Sequence, residues 1–232
     1  MDDEIDFCAN RYGLYAVPRA FRERVVPKVL AKGKVYEPNT IEFMRRKAGT
    51  GDVISGGAFV GDFLPGLSEA LTEGAQLHTF EPNPLSYAAA EQTIKLNGLT
   101  NVVIQPVAVG AAPGKLFLRT IMADGSIAAA RARIVNREHG DATVEVEVKR
   151  LDDMVPQDRH ISVLQLDLEG HETEALVGAK RILSDCRPVV VLEMPRRDAN
   201  DGYLATLEDL VPEARYMRAG WLERNAIYLS RA

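Results

Sequence analysis

Gly51-Asp-Val-Ile-Ser-Gly-Gly-Ala-Phe-Val-Gly61, then Asp62, then Thr79-Phe-Glu-Pro-Asn83, form the frame around which the rest of the sequence arranges itself. Val53 and Ile54 read as the end of a buried strand. Gly56, Gly57 and Gly61 permit a tight turn and a close approach of backbone to a ligand. Leu64, Leu67 and Leu71 recur at helical spacing, so the segment from Phe63 to Glu73 is expected to be a helix. Gln76 to Phe80 is a second strand, and it ends on Glu81. Strand, glycine turn, helix, strand and acid is the layout with which an α/β sheet holds a nucleoside: backbone meets the ligand at the turn, and a carboxylate about 20 residues on accepts from the ribose hydroxyls. Taken alone, Glu81 would equally serve as the cap of a helix beginning near Pro84.

Working outward, the pattern from Asp52 alternates strand and helix, which implies parallel strands with crossover helices. Ser86 to Asn97 is a helix stopped by Gly98. Val102 to Gln105 is a third strand, leading into Pro106 to Gly110. Lys115 to Arg119 and Thr143 to Val148 instead alternate apolar and polar residues, the period of a half-exposed antiparallel hairpin. Between them, Met122 to Asp141 reads as a substrate-side loop, with a helix over Ala128 to Glu138 as the other reading. Ile161 to Asp167 returns to a central strand, followed by one helix over Glu172 to Leu183. Pro188 to Glu193 is a further buried strand, Leu204 to Leu210 a helix, and Ala226 to Leu229 closes the sheet. Ahead of the glycine turn, Phe21 to Leu30 and Ile41 to Lys47, the latter capped by Thr40, suggest a helical cap over residues 1–47, leaving 48–232 as the main domain. Tyr36 and Glu37 either line the ligand site or pack beside it.

Composition narrows the class. With 232 residues, 46% hydrophobic and 26% charged, the chain can bury one sizeable core. A net charge of −5 and the lack of a dense Lys/Arg run argue against nucleic acid. Arg45-Arg-Lys47 and Arg196-Arg197 are too short for it. Two distant cysteines, Cys8 and Cys186, suggest a reducing compartment, and no apolar run is long enough to cross a membrane. A cytoplasmic location without membrane attachment follows as the expectation.

Three strands deliver an acid at their carboxyl ends: Glu81, Asp167 and Glu193. In an open parallel sheet that edge is where ligands bind. Asp167-Leu-Glu-Gly-His-Glu172 is the densest chemistry in the chain. Asp167, Glu169 and His171 suit a general base and its orienter, or in principle a divalent cation, although no metal is expected. Glu172 would also sit well as an acid at a helix N-terminus, and His171 as a surface histidine.

In these stretches the sequence resembles the FkbM family of S-adenosylmethionine-dependent methyltransferases. The residues that carry the likeness run in order: Tyr36-Glu-Pro38, Gly51 to Gly61, Phe80-Glu-Pro-Asn-Pro84, Ala108-Val-Gly110, Leu151-Asp-Asp153, Asp167 to Glu172 with Gly178, Glu193 and Asn225. The resemblance implies a Rossmann-like class I methyltransferase fold: a mostly parallel sheet with an antiparallel strand at its end, helices on both faces, a small N-terminal cap and a β-hairpin insertion. It implies S-adenosylmethionine as cofactor and transfer to a hydroxyl of a sugar, glycan or polyketide-type small molecule, with monomer or homodimer left open. Together with geometry it assigns Gly56, Gly57, Ala58 and Gly61 to the methionine part, Glu81 to the ribose with Asn83 beside it, and Gln105 to Ala108 to the adenine. Asp167 lies near the methyl, and Asp167, Glu169, His171 and Glu193 are the candidate bases. Two positions depart from the family pattern, which usually has an acid at Ser55, holding the methionyl amine, and an asparagine at Phe59. Asp62 is the candidate replacement for that acid. Two rivals remain: an NAD(P)-dependent oxidoreductase, disfavoured by a GGxxxG rather than GxGxxG turn, and an inactive nucleoside-binding module.

Overall fold

The alternating pattern folds into a seven-stranded sheet whose middle strands are parallel. The structure, a computed structural model, describes residues 5–119, 134–135, 143–194 and 201–232. In chain order the first part comprises β1 (Ile5–Asn10), β2 (Gly13–Pro18), α1 (Val25–Leu30) and α2 (Pro38–Ala48). Next come β3 (Asp52–Gly56), α3 (Leu64–Ala70), β4 (Leu77–Phe80), α4 (Pro84–Leu96) and β5 (Val102–Gln105). A smaller sheet follows, from β6 (Ala108–Val109), β7 (Gly114–Arg119), β8 (Ile134–Val135) and β9 (Thr143–Lys149). The remainder is α5 (Leu151–Met154), β10 (Ile161–Leu166), α6 (Glu172–Val177), α7 (Lys180–Asp185), β11 (Val189–Glu193), α8 (Gly202–Leu210), β12 (Met217–Leu222) and β13 (Asn225–Leu229).

Strand order in the large sheet is β12-β13-β11-β10-β3-β4-β5. The chain builds outward from β3 on one side through β4 and β5, then returns to β10 and β11 on the other. The order therefore switches between β3 and β10, and their carboxyl ends flank the crevice where such sheets bind ligands. The buried runs Val53-Ile54, Val163-Leu164 and Val190 to Leu192 face helices on both sides, as parallel strands must. The far end differs from expectation. Two antiparallel strands close the sheet, β13 against β11 and β12 against β13, where one was expected. Met217 to Leu222 was not expected as a strand; Gly220 weakens its pattern, and its ladder is irregular between Arg218 and Gly220.

Other expectations need correction as well. The N-terminal cap is not purely helical: β1 and β2 form an antiparallel hairpin, built on the turn residues Asn10 to Gly13, where Asn10 Oδ1 accepts from the Tyr12 N–H at 2.9 Å. Nor does packing mark a boundary near residue 47, since Ile41, Met44 and Ala48 share one cluster with Val53, Leu77 and Val163. The helix read over Glu172 to Leu183 is two helices, parted at Gly178-Ala179. The Gly178 carbonyl accepts from the Asp152 N–H at 2.9 Å, and a Cβ there would collide with the Gly110 carbonyl. The helix of residues 38–48 starts at Pro38, ahead of Thr40, because proline at the first helical position brings a preset φ. The hairpin insertion is present, β7 against β9. Of the reading for Met122 to Asp141, Ile134 and Val135 pair with Leu118 and Phe117 as strand rather than helix; the rest lies outside the described residues.

At the amino edge of the sheet, away from the crevice, Asp52 is buried and fully engaged. Arg159 Nε donates to its Oδ2 at 2.7 Å, the Gln76 N–H to its Oδ1 at 2.8 Å, and His78 Nε2 lies 2.9 Å from Oδ2. Burial opposes the charge, but these partners outweigh it and hold the carboxyl below its usual range. Removing one partner of such a set strands the others, so Asp52→Ala is expected to lower unfolding free energy by about 3–5 kcal/mol. Urea denaturation measures this; a loss near that of an exposed ion pair, about 0–1 kcal/mol, would show that Arg159 and His78 simply rehydrate.

Candidate functional site

A cavity of about 460 Å³ opens at the carboxyl edge of β3, β4, β10 and β11, within the range of small-molecule sites. Its floor is the glycine turn. Gly57 has φ +83°, and a Cβ there would strike the Asp167 carbonyl, so only glycine fits between the β3 and β10 ends. The N–H groups of Gly57 and Ala58 both donate to the Phe80 carbonyl, at 3.2 and 3.1 Å, which ties the turn to β4.

Glu81 follows β4 directly and is buried. Its Oε2 accepts from the Phe59 N–H at 2.9 Å and its Oε1 from the Asn83 N–H at 2.8 Å. Each oxygen is thus oriented by one backbone donor, and the carboxyl lines the cavity. Burial pushes Glu81 up to about 7 against those two donors. Asp62, just past Gly61, also lines the cavity and is likewise pushed up to about 7, by burial first and then by Glu37.

Across the crevice stand the acids of the two strands on the other side. Asp167 and Glu193 bring carboxylate oxygens within 4.8 Å of each other, and burial followed by the charge of Glu193 drives Asp167 well above the usual carboxyl range. Arg224, in the turn between β12 and β13, donates to Glu193 Oε1 through Nε at 3.1 Å and a terminal nitrogen at 2.8 Å. Asp167, Glu172 and Glu193 bring oxygens within 4.8 Å of one another, the one group among the described residues close enough to share a cation. Glu172 is otherwise committed: its Oε1 accepts from the Leu168 and Gly170 N–H groups at 2.7 and 3.3 Å, and its Oε2 from the Tyr203 hydroxyl at 2.9 Å. It staples the bend that carries Asp167, where Glu169 and Gly170 both have positive φ.

Of the residues expected at the site, Gly57, Ala58, Asp62, Glu81, Ala108, Asp167, Glu169, His171 and Glu193 line the cavity. Gly56, Gly61, Asn83 and Gln105 do not. A Cβ on Gly56 would meet the Phe80 ring and Leu166, and one on Gly61 would meet Thr93 and Leu64, so both glycines serve packing. Asn83 caps α4, its Oδ1 accepting from Leu85 and Ser86 N–H groups at 3.0 and 3.3 Å. Gln105 takes part through its carbonyl, which accepts from the Glu81 N–H at 3.1 Å. Sequence reasoning missed Arg224, Gln165 and the α1 edge Arg24 to Val26, all of which line the cavity. Gln165 sits in an apolar run where a polar residue was itself a signal; Arg224 carried none. Tyr36 lines the cavity, while Glu37 Oε2 accepts from Asn225 at 2.6 Å.

The FkbM methyltransferase domain model matches residues 55–225. No curated protein matches the chain. Among solved structures, the methyltransferase FkbM from Methylobacillus flagellatus KT aligns with a TM-score of 0.54 at 16% identity, over 78% of this chain and 43% of that one. Trm5b from Pyrococcus abyssi aligns at 0.53 and 14%, over 97% of this chain and 55% of that one. A methyltransferase from Geobacter sulfurreducens aligns at 0.50 and 12%, over 91% and 86%. The chain thus spans about half the length, or less, of the first two. At these identities the likeness shows the fold, a Rossmann-like methyltransferase fold. No described helix is long and apolar enough to cross a membrane.

Glu81 and Asp62 bind a proton more tightly folded than unfolded, so unfolding releases protons between about pH 4 and 7. Stability of the ligand-free protein is therefore expected to fall as pH rises through that window, by on the order of 3 kcal/mol per group. Urea titrations at pH 5.5 and 8 measure the slope, and Glu81→Gln should flatten it. An unchanged slope in that variant would place the titration elsewhere.

Proposed function

Because the chain belongs to the FkbM methyltransferase family, we propose that it is an S-adenosylmethionine-dependent O-methyltransferase acting on a hydroxyl of a sugar, glycan or polyketide-type small molecule. The observation that carries the reading is Glu81: a buried carboxyl with each oxygen set by one backbone N–H, facing a cavity floored by a turn that admits no side chain at Gly57. Two adjacent hydroxyls of a ribose fit an acceptor pair so held.

S-adenosylmethionine supplies a methyl group on a positively charged sulfur. Glu81 accepts from the ribose hydroxyls and Ala108 borders the adenine. Gly57 and Ala58 bring backbone to the methionine end, and Asp62 takes the amine in place of the acid expected at Ser55. Asp167 and Glu193, which line the cavity with Glu169 and His171, are assigned to the reacting centre. Transfer to an alcohol releases a proton, and a carboxylate in reach of it contributes about 10²–10⁴-fold. The Asp167–Glu193 pair is the best placed acceptor, since both line the cavity with oxygens within 4.8 Å of each other and Arg224 holds Glu193 in place. Positioning acceptor and methyl in line supplies much of the remaining rate. The reading further holds that the protein is cytoplasmic and works on small molecules, with neither nucleic acid nor membrane as partner.

Glu81→Ala should weaken binding of S-adenosylhomocysteine by about 10²-fold, the loss of hydrogen bonds to a charged group. Calorimetry reads it, and unchanged affinity would remove Glu81 from the ribose. A protonated Glu81 accepts poorly, so wild-type affinity should also fall about tenfold per pH unit below 7.

Asp167→Asn should spare that binding and lower turnover by about 10²-fold or more. Turnover is read by mass spectrometry of small-molecule pools incubated with isotope-labelled S-adenosylmethionine, which also names the acceptor. Binding without any label transfer would favour the inactive nucleoside-binding module.

A further inference from the structure

Phe59 occupies an unusual place. Its φ is +47°, a left-handed conformation that costs an ordinary side chain about 1–2 kcal/mol. Its N–H holds Glu81 Oε2, and its ring borders the cavity. The ring packs on Phe21, centroids 5.3 Å apart and planes inclined by 32°, within a cluster that also contains Tyr15, Val17, Leu30 and Val60. Four of these residues, Tyr15, Val17, Phe21 and Leu30, come from the N-terminal segment. A second tie runs parallel to the first: the Ala16 N–H donates to Thr93 Oγ1 at 3.1 Å, and Thr93 Oγ1 donates to the Val60 carbonyl at 2.8 Å. The same N-terminal segment supplies Arg24, Val25 and Val26 to the cavity wall.

Building on the assignment of Glu81 to the ribose, we propose that Phe59 is a positioning residue for Glu81 and the point at which residues 13–31 are keyed to the cofactor site, so that docking of that segment and binding of the nucleoside reinforce each other. The physical basis is that one residue is held from both sides. Its backbone conformation aims the N–H at Glu81, and its side chain is seated by Phe21. Seating the ring stabilises the strained backbone; occupying Glu81 stabilises the same backbone from the other direction. Linkage then requires the coupling to be reciprocal. The α1 edge, carried by the same cluster, is placed over the cofactor as part of the acceptor wall only when the ring is seated.

The test is hydrogen exchange of residues 13–31 with and without S-adenosylhomocysteine, in the wild type, Phe59→Asn and Phe21→Leu. Asparagine tolerates the left-handed conformation, so Phe59→Asn keeps the N–H and removes only the ring. Phe21 does not line the cavity, so Phe21→Leu touches no ligand. In the wild type the ligand is expected to slow exchange of the segment about tenfold, and both variants to bind it about tenfold more weakly with most of that protection gone, in the usual span of coupled sites. A structural role alone would lower thermal stability without removing the ligand-dependent protection. The proposal is overturned if the wild type binds the ligand with no change in the segment, or if the variants bind and protect as the wild type does. Wild type that binds no S-adenosylhomocysteine at all instead defeats the assignment of Glu81, and this proposal with it. Should Phe59→Asn fail to fold, the milder Phe21→Leu carries the comparison.

Discussion

Too many carboxyl groups converge on one edge of one sheet. Glu81, Asp167 and Glu193 arrive at the ends of β4, β10 and β11, and Asp62, Glu37 and Glu169 gather beside them. A single unpaired buried charge costs a large share of the stability a domain possesses, so the arrangement depends on the neighbours that answer several of these acids. Glu81 is answered by two backbone N–H groups, Glu172 by two more and Tyr203, and Glu193 by Arg224, while burial and Glu193 push Asp167 towards its neutral form. These different answers give the two halves of the cavity different chemistry. One half offers oriented acceptors held by rigid backbone; the other offers two close carboxyls, one of them held by Arg224.

That constraint explains the placement of the C-terminal hairpin. Its turn sends three consecutive side chains to three partners. Glu223 caps α2, its oxygens accepting from the Asn39 and Thr40 N–H groups at 2.9 Å each and from the Thr40 hydroxyl at 2.5 Å. Arg224 holds Glu193. Asn225 donates to Glu37. Glu37 and Glu223 both have positive φ, which fits two turns shaped around each other rather than by local preference. The orphan N–H groups at the start of a helix are usually met by a neighbour in sequence; here they are met by a residue 183 positions away. The region before the glycine turn and the last hairpin consequently behave as one wall, and Tyr36 stands in the cavity because the helix beginning at Pro38 is pinned from the far end of the chain.

This is also where sequence reasoning stops. The strands of the parallel core were legible because each is a short apolar run bounded by turn residues. The glycine turn and Glu81 were legible because their spacing serves one ligand shape. Most of the residues expected at the site do line one cavity. What could not be read were the partners: nothing near Arg224 in sequence points to Glu193, and nothing near Thr40 points to Glu223. The same limit explains Gly56, Gly61 and Asn83. Glycine and asparagine suit a ligand turn and a packing or capping role equally well, and only the neighbours decide. The split at Gly178 follows the same logic, since the carbonyl of Gly110 that forbids a side chain there lies just past β6, far away in sequence.

Ser55 shows how such a constraint passes between positions. Its hydroxyl donates to Gln165 Oε1 at 2.7 Å, and its carbonyl accepts from the Thr79 hydroxyl at 2.6 Å. Three neutral side chains therefore bridge β4, β3 and β10 beneath the cavity. Ser55 adds no charge to a cavity that already holds Asp62, Asp167 and Glu193. Buried like charges raise one another's proton affinity, and Asp62 and Asp167 are already displaced upward in this cavity. With Ser55 neutral, Asp62 is the acid left on that side of the turn, held by Gly61 at its base and opposed chiefly by burial and Glu37. The floor of the cavity at Ser55 is thus a neutral hydrogen-bonded bridge between strands, and the buried acid nearest to it in sequence, Asp62, stands beyond the turn.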